Sequence, residues 1–172
     1  MKYGRIFALI IALIIVAADH LTKVMIQHSM SPFDSATVIP GLLRIVHTEN
    51  PGAAFGILAE GNPILRSVVL IGISAVVLCF VFSVLWSRNS SYAARPTRFG
   101  LGLILGGALG NLYDRVAHGT VTDFIEVFHG SWSFPAFNVA DSAISIGAAI
   151  ILLEMLWSSR KRDKVVNVSQ TH

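Results

Sequence analysis

Four long apolar runs limit what this chain can fold into. They lie near residues 6–26, 63–86, 99–115 and 138–157, and each is close to the ~20 residues that a helix needs to cross a hydrocarbon core. Of the 172 residues, 53% are hydrophobic and only 13% are charged, whereas soluble domains are about a quarter charged. We therefore expect an integral membrane protein with four helical spans, because lipid cannot satisfy open backbone groups.

The positive charges predict how these spans are oriented. Lysine and arginine are enriched in the cytoplasmic loops of membrane proteins, and most of them fall before the first run, between the second and third, or after the fourth. These residues are Lys2, Arg5, Arg88, Arg95, Arg98, Arg160, Lys161, Arg162 and Lys164. Both termini should therefore be cytoplasmic, and the segments 27–62 and 116–137 should face outward. The net charge of +3 follows from this asymmetry and indicates no nucleic-acid partner.

The pattern outside the runs predicts one domain over residues 1–172, with no internal repeat. Alternation over 43–48 indicates a strand, and Ala53–Ala59 is expected to form a short amphipathic helix at the membrane surface. The segment 116–137 is interpreted as a loop joining the last two spans. The tail, 158–172, is expected to be cytoplasmic and disordered.

The third run carries glycines four residues apart, at Gly102, Gly106 and Gly110, with Gly107 widening the same face. Small residues at this spacing let helix backbones approach closely. The pattern predicts that the third span packs tightly against a neighbour, and it lacks the GK[ST] sequence of a nucleotide loop.

Polar residues cluster at the outward ends of the spans, where ionisable groups usually mark function. Asp19 and Lys23 are four residues apart on the first span, so they can form an ion pair at the membrane edge, and a role in binding substrate is equally open. Asn111 and Arg115 repeat this spacing on the third span, where Arg115 could hold an acid or a substrate carbonyl, or extend to the interface without a further role.

The two remaining acids of this region are Asp123 and Asp141. Asn138 is a good N-cap for the fourth span, and capping with the helix dipole would give Asp141 an ordinary structural role. Asp123 lies in apolar company and has no such explanation. Glu49, Glu60 and Glu126 are interpreted as surface acids.

If the third and fourth spans pack side by side, Asp123 and Asp141 return to the same depth. Two carboxylates in a partly dry site tend to share one proton, which suits hydrolysis by an activated water. The histidines form no metal-ligand spacing, and neither HExxH nor GxSxG occurs. A nucleophile–base pair of Thr22 and Lys23 is a weaker option, because adjacent helix residues do not face each other.

Two other classes of protein fit the same residues. A small transporter or proton channel could use Asp19, Lys23, Asp123 and Asp141 as a relay, although such acids more often lie near the bilayer midplane, between inverted repeats. A noncatalytic four-helix scaffold could keep the polar residues for folding.

Five segments resemble the lipoprotein signal peptidase family (signal peptidase II), which consists of aspartic proteases of the bacterial inner membrane. They are DHLTK (19–23), NPGAAF (50–55), GGALGNLYDR (106–115), GTVTDFI (119–125) and FNVAD (137–141). They occur in the family's order. Thr122 departs from the pattern, which commonly has an apolar residue there.

The resemblance implies a fold, a site and a substrate. It implies an all-α membrane protein of four spans with a small extracytoplasmic β-cradle and a surface helix. The implied catalytic dyad is Asp123 and Asp141. The implied supporting residues are Asp19, Lys23, Asn50, Gly52, Asn111, Arg115 and Asn138. The enzyme would cut prolipoproteins before a diacylglyceryl cysteine, near the periplasmic face, as a monomer in contact with membrane lipid and without metal or organic cofactor.

Overall fold

Four helices and four strands form the part of the chain that the computed structural model describes, namely residues 2–52, 62–87 and 95–169, with backbone alone for residues 2 and 160–169. In chain order the elements are α1 (Lys2–Ser29), β1 (Ser35–Ile39), β2 (Leu43–Asn50), α2 (Pro63–Trp86), α3 (Arg95–Ala117), β3 (Val121–His129), β4 (Trp132–Ser133) and α4 (Val139–Ser169).

Within the described residues, three segments are long and apolar enough to cross a membrane: Tyr3–Ser29, Pro63–Trp86 and Val139–Ser159. Their outward faces carry exposed apolar side chains, for example Leu13 at 69% and Val76 at 69%. The helix α3 is long enough but less apolar, because it contains several glycines and a polar end. The expected four-span topology therefore stays a prediction.

Glycine lets α3 pack closely against two neighbours. A Cβ built at Gly102 or Gly106 would lie 2.7 Å from a backbone carbonyl oxygen of α1, at Ala8 or Ala12. Gly107 instead faces α4, where the carbonyl of Ala140 would block a side chain. The predicted close packing is confirmed, but Gly107 serves a second face and does not widen the first, because the helix is enclosed on both sides.

The apolar core lies among α1, α2 and α3. Its buried members are Ala8, Ala12, Val81, Leu85, Leu101 and Leu105. At the end of the helices that is predicted to be cytoplasmic, Arg5 Nε donates to the Leu85 carbonyl at 3.0 Å, and Arg5 Nη2 donates to the Trp86 carbonyl at 3.1 Å. These bonds satisfy carbonyls that the end of α2 leaves open, and they place the start of α1 beside the end of α2.

A four-stranded antiparallel sheet in the order β1-β2-β3-β4 lies beyond the helices. The strand predicted over 43–48 is confirmed as β2. The segment 116–137, expected to be a loop, is half strand, because its β-branched and aromatic residues favour strands. β3 pairs with β2, and β4 pairs with β3. Pairing of Asn50 with Val121 and of Thr48 with Asp123 brings the end of β2 beside the start of β3.

Two expectations concern the ends of these elements. The tail after residue 157 was expected to be disordered, but α4 continues to Ser169. Residues 158–169 contain neither proline nor glycine, and their lysines and arginines favour a helix. The predicted surface helix Ala53–Ala59 lies outside the described residues.

Candidate active site

Asp123 lies near the start of β3, buried with 2% of its surface exposed. Asn50 Nδ2 donates to its Oδ2 at 2.9 Å, and Asn138 Nδ2 donates to its Oδ1 at 2.7 Å. Burial raises the pKa of Asp123 to about 7, and the charge of Asp141 adds to the rise, while the two amide hydrogen bonds oppose it. This carboxyl is therefore suited to hold a proton near neutral pH.

Asp141 lies in the first turn of α4, where Asn138 caps the helix. The backbone N–H of Asp141 donates to Asn138 Oδ1 at 2.9 Å, and Asn111 Nδ2 donates to Asp141 Oδ1 at 2.7 Å. Asn138 is fully buried, and its amide bonds Asp123 through nitrogen and the turn of Asp141 through oxygen. One asparagine side chain thus fixes the two acids relative to each other.

Both acids line one cavity of about 510 Å³. Asp123 and Asp141 form part of its polar end, whereas the segment 134–137 and residues of α4 such as Ile144 and Ile146 make most of the remaining wall apolar. The cavity can therefore hold an apolar segment of a ligand with a polar bond placed against the carboxyl groups.

Beside the acids lies a buried cluster around Lys23, which is 2% exposed. Its Nζ lies 2.7 Å from Asp19 Oδ2 and 2.6 Å from Asp114 Oδ2, and it donates to Asn111 Oδ1 at 3.1 Å. The other oxygen of Asp19 accepts the N–H of Ala140 at 2.9 Å. The cluster ties α1 to α3 and α4, and it orients the Asn111 amide so that its nitrogen faces Asp141.

Arg115 links α3 to the end of β2. Its Nη2 donates to the Gly52 carbonyl at 3.3 Å and its Nη1 to the Asn111 carbonyl at 3.3 Å. Gly52 N–H in turn donates to Asn50 Oδ1 at 2.9 Å, which turns the Asn50 amide nitrogen toward Asp123. Among the described residues, Arg115 Nε is buried and has no hydrogen-bond partner.

The structure thus gathers all nine residues of the predicted site into one connected set of hydrogen bonds, while their chemical roles stay predictions. Thr22 does not pair with Lys23, because its hydroxyl donates to the Ala18 and Asp19 carbonyls at 2.7 and 2.9 Å. No group of three or more histidine, cysteine, aspartate or glutamate side chains in the described ranges could hold a metal ion.

Two residues of this region were missed from the sequence. Asp114 is not singled out by the sequence analysis, although its position three residues after Asn111 places both on one helix face. Glu49 is exposed, as the sequence predicts, but its carboxylate also accepts the hydroxyls of Thr120 at 2.6 Å and Thr122 at 2.9 Å. No local pattern could have found the bonds of Glu49, because they depend on strand pairing.

The chain matches known proteins over most of its length. A family model described as signal peptidase (SPase) II covers residues 11–157. Curated lipoprotein signal peptidases include one from Solibacter usitatus, 39% identical over 92% of this chain and 94% of that protein, and one from Pseudomonas syringae pv. tomato, 41% identical over 95% and 93%.

Solved structures agree with this match. One, described as a bacterial membrane enzyme at 2.3 Å resolution, has a TM-score of 0.77 and 33% identity over 89% of each chain. Another, a bacterial membrane enzyme at 1.9 Å resolution, has a TM-score of 0.74 and 34% identity over 87% of this chain and 92% of the other. By sequence and by fold, the chain belongs to the signal peptidase II family.

Proposed function

We propose that this protein is an intramembrane aspartic endopeptidase that removes the signal peptide from diacylglyceryl-modified prolipoproteins, cutting before the lipid-modified cysteine. One observation carries the proposal: Asp123 and Asp141 come from different elements, face one cavity, and each accept an asparagine amide. The names of the curated relatives, lipoprotein signal peptidases, support the substrate class.

In the proposed reaction, the two carboxyl groups share one proton, and Asp123 holds it. Asp141 takes a proton from a water, and the resulting hydroxide attacks the scissile carbonyl carbon while Asp123 donates its proton to the carbonyl oxygen. The proton on Asp141 then passes to the leaving nitrogen as the C–N bond breaks, and one hydroxyl of the tetrahedral intermediate returns a proton to Asp123 as the new carboxyl group forms. The pKa of Asp123 near 7 supports its role as the acid, because a group can donate a proton only where it holds one.

The neighbouring residues hold this arrangement and bind the substrate. Asn50 and Asn138 fix Asp123, and Asn111 fixes Asp141. The buried cluster around Lys23 sets the Asn111 amide. Arg115 holds the Gly52 carbonyl, and the Gly52 N–H in turn fixes the Asn50 amide.

The proposed setting is the bacterial inner membrane, with four spans, cytoplasmic termini and the acids near the periplasmic face. The bonds from Arg5 to the end of α2 support this topology, because they group the start of α1 and the end of α2 at one end of the bundle. The acids lie at the opposite ends of the helices. The lower hydropathy of α3 fits a span enclosed by other helices, since most of its residues are buried. We expect a monomer, because one chain encloses the cavity.

Two rival functions lose support from the same geometry. A proton relay would place its acids near the midplane, whereas Asp123 lies on a strand beyond the helices. A scaffold has no need for an acid with a pKa of about 7, since a buried carboxyl group that is hard to ionise destabilises the fold.

The test is cleavage of a diacylglyceryl-modified prolipoprotein by the purified protein in lipid. Wild type should release the signal peptide, and Asp123→Asn and Asp141→Asn should stay folded and lose activity by at least about a thousandfold, as expected when a catalytic acid or base is removed. Asp34→Asn is the matched control, because Asp34 lies in an exposed turn. Cleavage by either dyad variant at the wild-type rate would refute the dyad, and proton flux through sealed vesicles without cleavage would favour the relay.

A further inference from the structure

A second polar cluster lies behind the dyad, on the opposite face of the paired strands β2 and β3. Side chains alternate between the two faces of a strand. Asn50 therefore points to the face of Asp123, and Glu49 points to the other. Glu49 and Thr122 are directly paired across the strands, and Thr122 immediately precedes Asp123.

Glu49 is the centre of this cluster. Its Oε1 accepts the Thr122 hydroxyl at 2.9 Å and lies 3.1 Å from His47 Nε2, and its Oε2 accepts the Thr120 hydroxyl at 2.6 Å. Gln27 of α1 donates to the Thr122 hydroxyl oxygen at 2.7 Å. Thr122 is buried, with 2% of its surface exposed. Its bonds to Gln27 and Glu49 join α1, β2 and β3 behind the site.

Glu49 accepts these bonds as a carboxylate. Burial acts to raise the pKa of Glu49, but the hydrogen bonds from Thr120, Thr122 and His47 together outweigh burial and lower it below its usual range. Hydrogen bonds to a charged acceptor are about twice as strong as neutral ones. The hydrogen bonds from Thr120 and Thr122 to Glu49 are therefore stronger than hydrogen bonds between two neutral side chains would be.

The position of the contact gives it a consequence for the site. Asn50 is the last residue of β2, where a strand has fewer ladder bonds to hold it. Its amide must reach Asp123 Oδ2 at 2.9 Å. Glu49 and Thr122 are the chain neighbours of these two residues, so a shift of one strand end along the other would change that distance.

We propose, on the basis of the peptidase function proposed above, that Glu49 is a positioning residue, which holds the end of β2 on Thr120 and Thr122 so that the Asn50 amide stays on Asp123. Glu49 is not among the residues that line the cavity. It acts through Asn50.

This role predicts a specific pattern in the kinetics. Loss of the Asn50 hydrogen bond removes an influence that lowers the pKa of Asp123, so the alkaline limb of the kcat profile should move to higher pH. The other charged groups that act on Asp123 in the described region are Lys23 from α1, Arg115 from α3 and Asp141 from α4. They are unchanged in a Glu49 variant.

The experiment is a double-mutant cycle on the purified protein with a diacylglyceryl-modified prolipoprotein. Glu49→Ala should lower kcat about tenfold, as for a lost hydrogen bond to a charged group, and leave KM within about twofold. In an Asn50→Ala background the same change should cost less than about twofold, because the residue it acts through is gone. Glu126→Ala is the control, since Glu126 also holds a cross-strand contact, to Arg44, away from Asn50.

A conservative variant separates positioning from folding. Glu49→Gln should keep activity within about threefold, because threonine hydroxyls can accept from an amide as well as donate to one. If Glu49→Ala does not fold, Thr122→Val is judged by the same cycle, since it removes the hydroxyl and keeps the shape. Equal losses in both backgrounds, or a loss of thermal stability with unchanged kcat and pH profile, would overturn the role of Glu49.

Failure of the proposed function would look different. Wild-type protein would then leave the lipidated substrate intact. The pH dependence of thermal unfolding would still report Asp123, and the role of Glu49 would require Glu49→Ala to move that dependence to higher pH. An unchanged dependence would overturn the role even in an inactive protein.

Discussion

Replacing Asp123 by asparagine tests whether this carboxyl is protonated in the folded protein near neutral pH. Burial raises its pKa from 3.8 to about 7, and each pKa unit corresponds to about 1.36 kcal/mol. Because the pKa is higher in the folded state, the stability that this group contributes is complete below about pH 4 and is lost as the pH rises to about 7. The total is about 4 kcal/mol, and about 3 kcal/mol of it is lost between about pH 5 and about pH 8.

Asparagine does not titrate. The free energy of unfolding of Asp123→Asn should therefore rise by about 3 kcal/mol relative to that of wild type between about pH 5 and about pH 8, whatever the stability of the variant at either pH. For a chain of this length, the difference in Tm should move by about 6–12 °C in favour of the variant. Tryptophan fluorescence during heating in detergent at about pH 5 and about pH 8 measures it. Asp34→Asn, which changes an exposed acid, should show no such movement. An equal Tm difference at both pH values would show that Asp123 is ionised throughout, and it could not then be the acid.

Three further changes test the surroundings of the site. Lys23→Met should destabilise the fold by about 3–5 kcal/mol, because it leaves the buried carboxylates of Asp19 and Asp114 without a cation. Adding Asp114→Asn should restore part of the lost Tm. An unchanged Tm in the single variant would show that the cluster is not needed for stability. Gly106→Ala should lower Tm, because the added Cβ would lie 2.7 Å from a backbone oxygen of α1, and such a clash costs about 1–3 kcal/mol. Gly72→Ala is the control and should raise Tm or leave it unchanged, because its Cβ would meet nothing within 4 Å. Equal effects of the two changes would argue against close packing. Asn138→Ala should reduce cleavage at least about tenfold and cost about 1 kcal/mol through the lost cap, and full activity in that variant would exclude a role in holding the acids.

Three of the four predicted spans are confirmed as long apolar helices, and they could be predicted from the sequence because the cause is local. Runs such as 63–86 are apolar along their whole length, and a backbone in lipid must satisfy its own hydrogen bonds within the helix. The pairs four residues apart, Asp19 with Lys23 and Asn111 with Arg115, were equally visible, because helix geometry alone places them side by side. In both pairs the structure brings the two residues into contact.

Other features could not be predicted because they depend on partners far along the chain. The strand β3 lies in a segment for which the local pattern predicts a loop, since the pairing of β3 with β2 joins residues more than seventy positions apart. The bonds from Glu49 to Thr120 and Thr122 could not be predicted for the same reason. The second face of α3 at Gly107 was hidden, because a row of glycines shows that something approaches closely but not what approaches.

The sequence by itself determined the class of protein, three apolar spans and the polar residues near the ends of the helices, because apolarity, charge and helical spacing act over a few neighbouring residues. Only the tertiary structure decided that Asp123 and Asp141 face one cavity. Their meeting depends on the register of β2 and β3, on the glycine contact between α3 and α4, and on one buried asparagine that bonds both. Each of these joins residues that are distant in sequence, so their energies are settled only when the whole fold is formed.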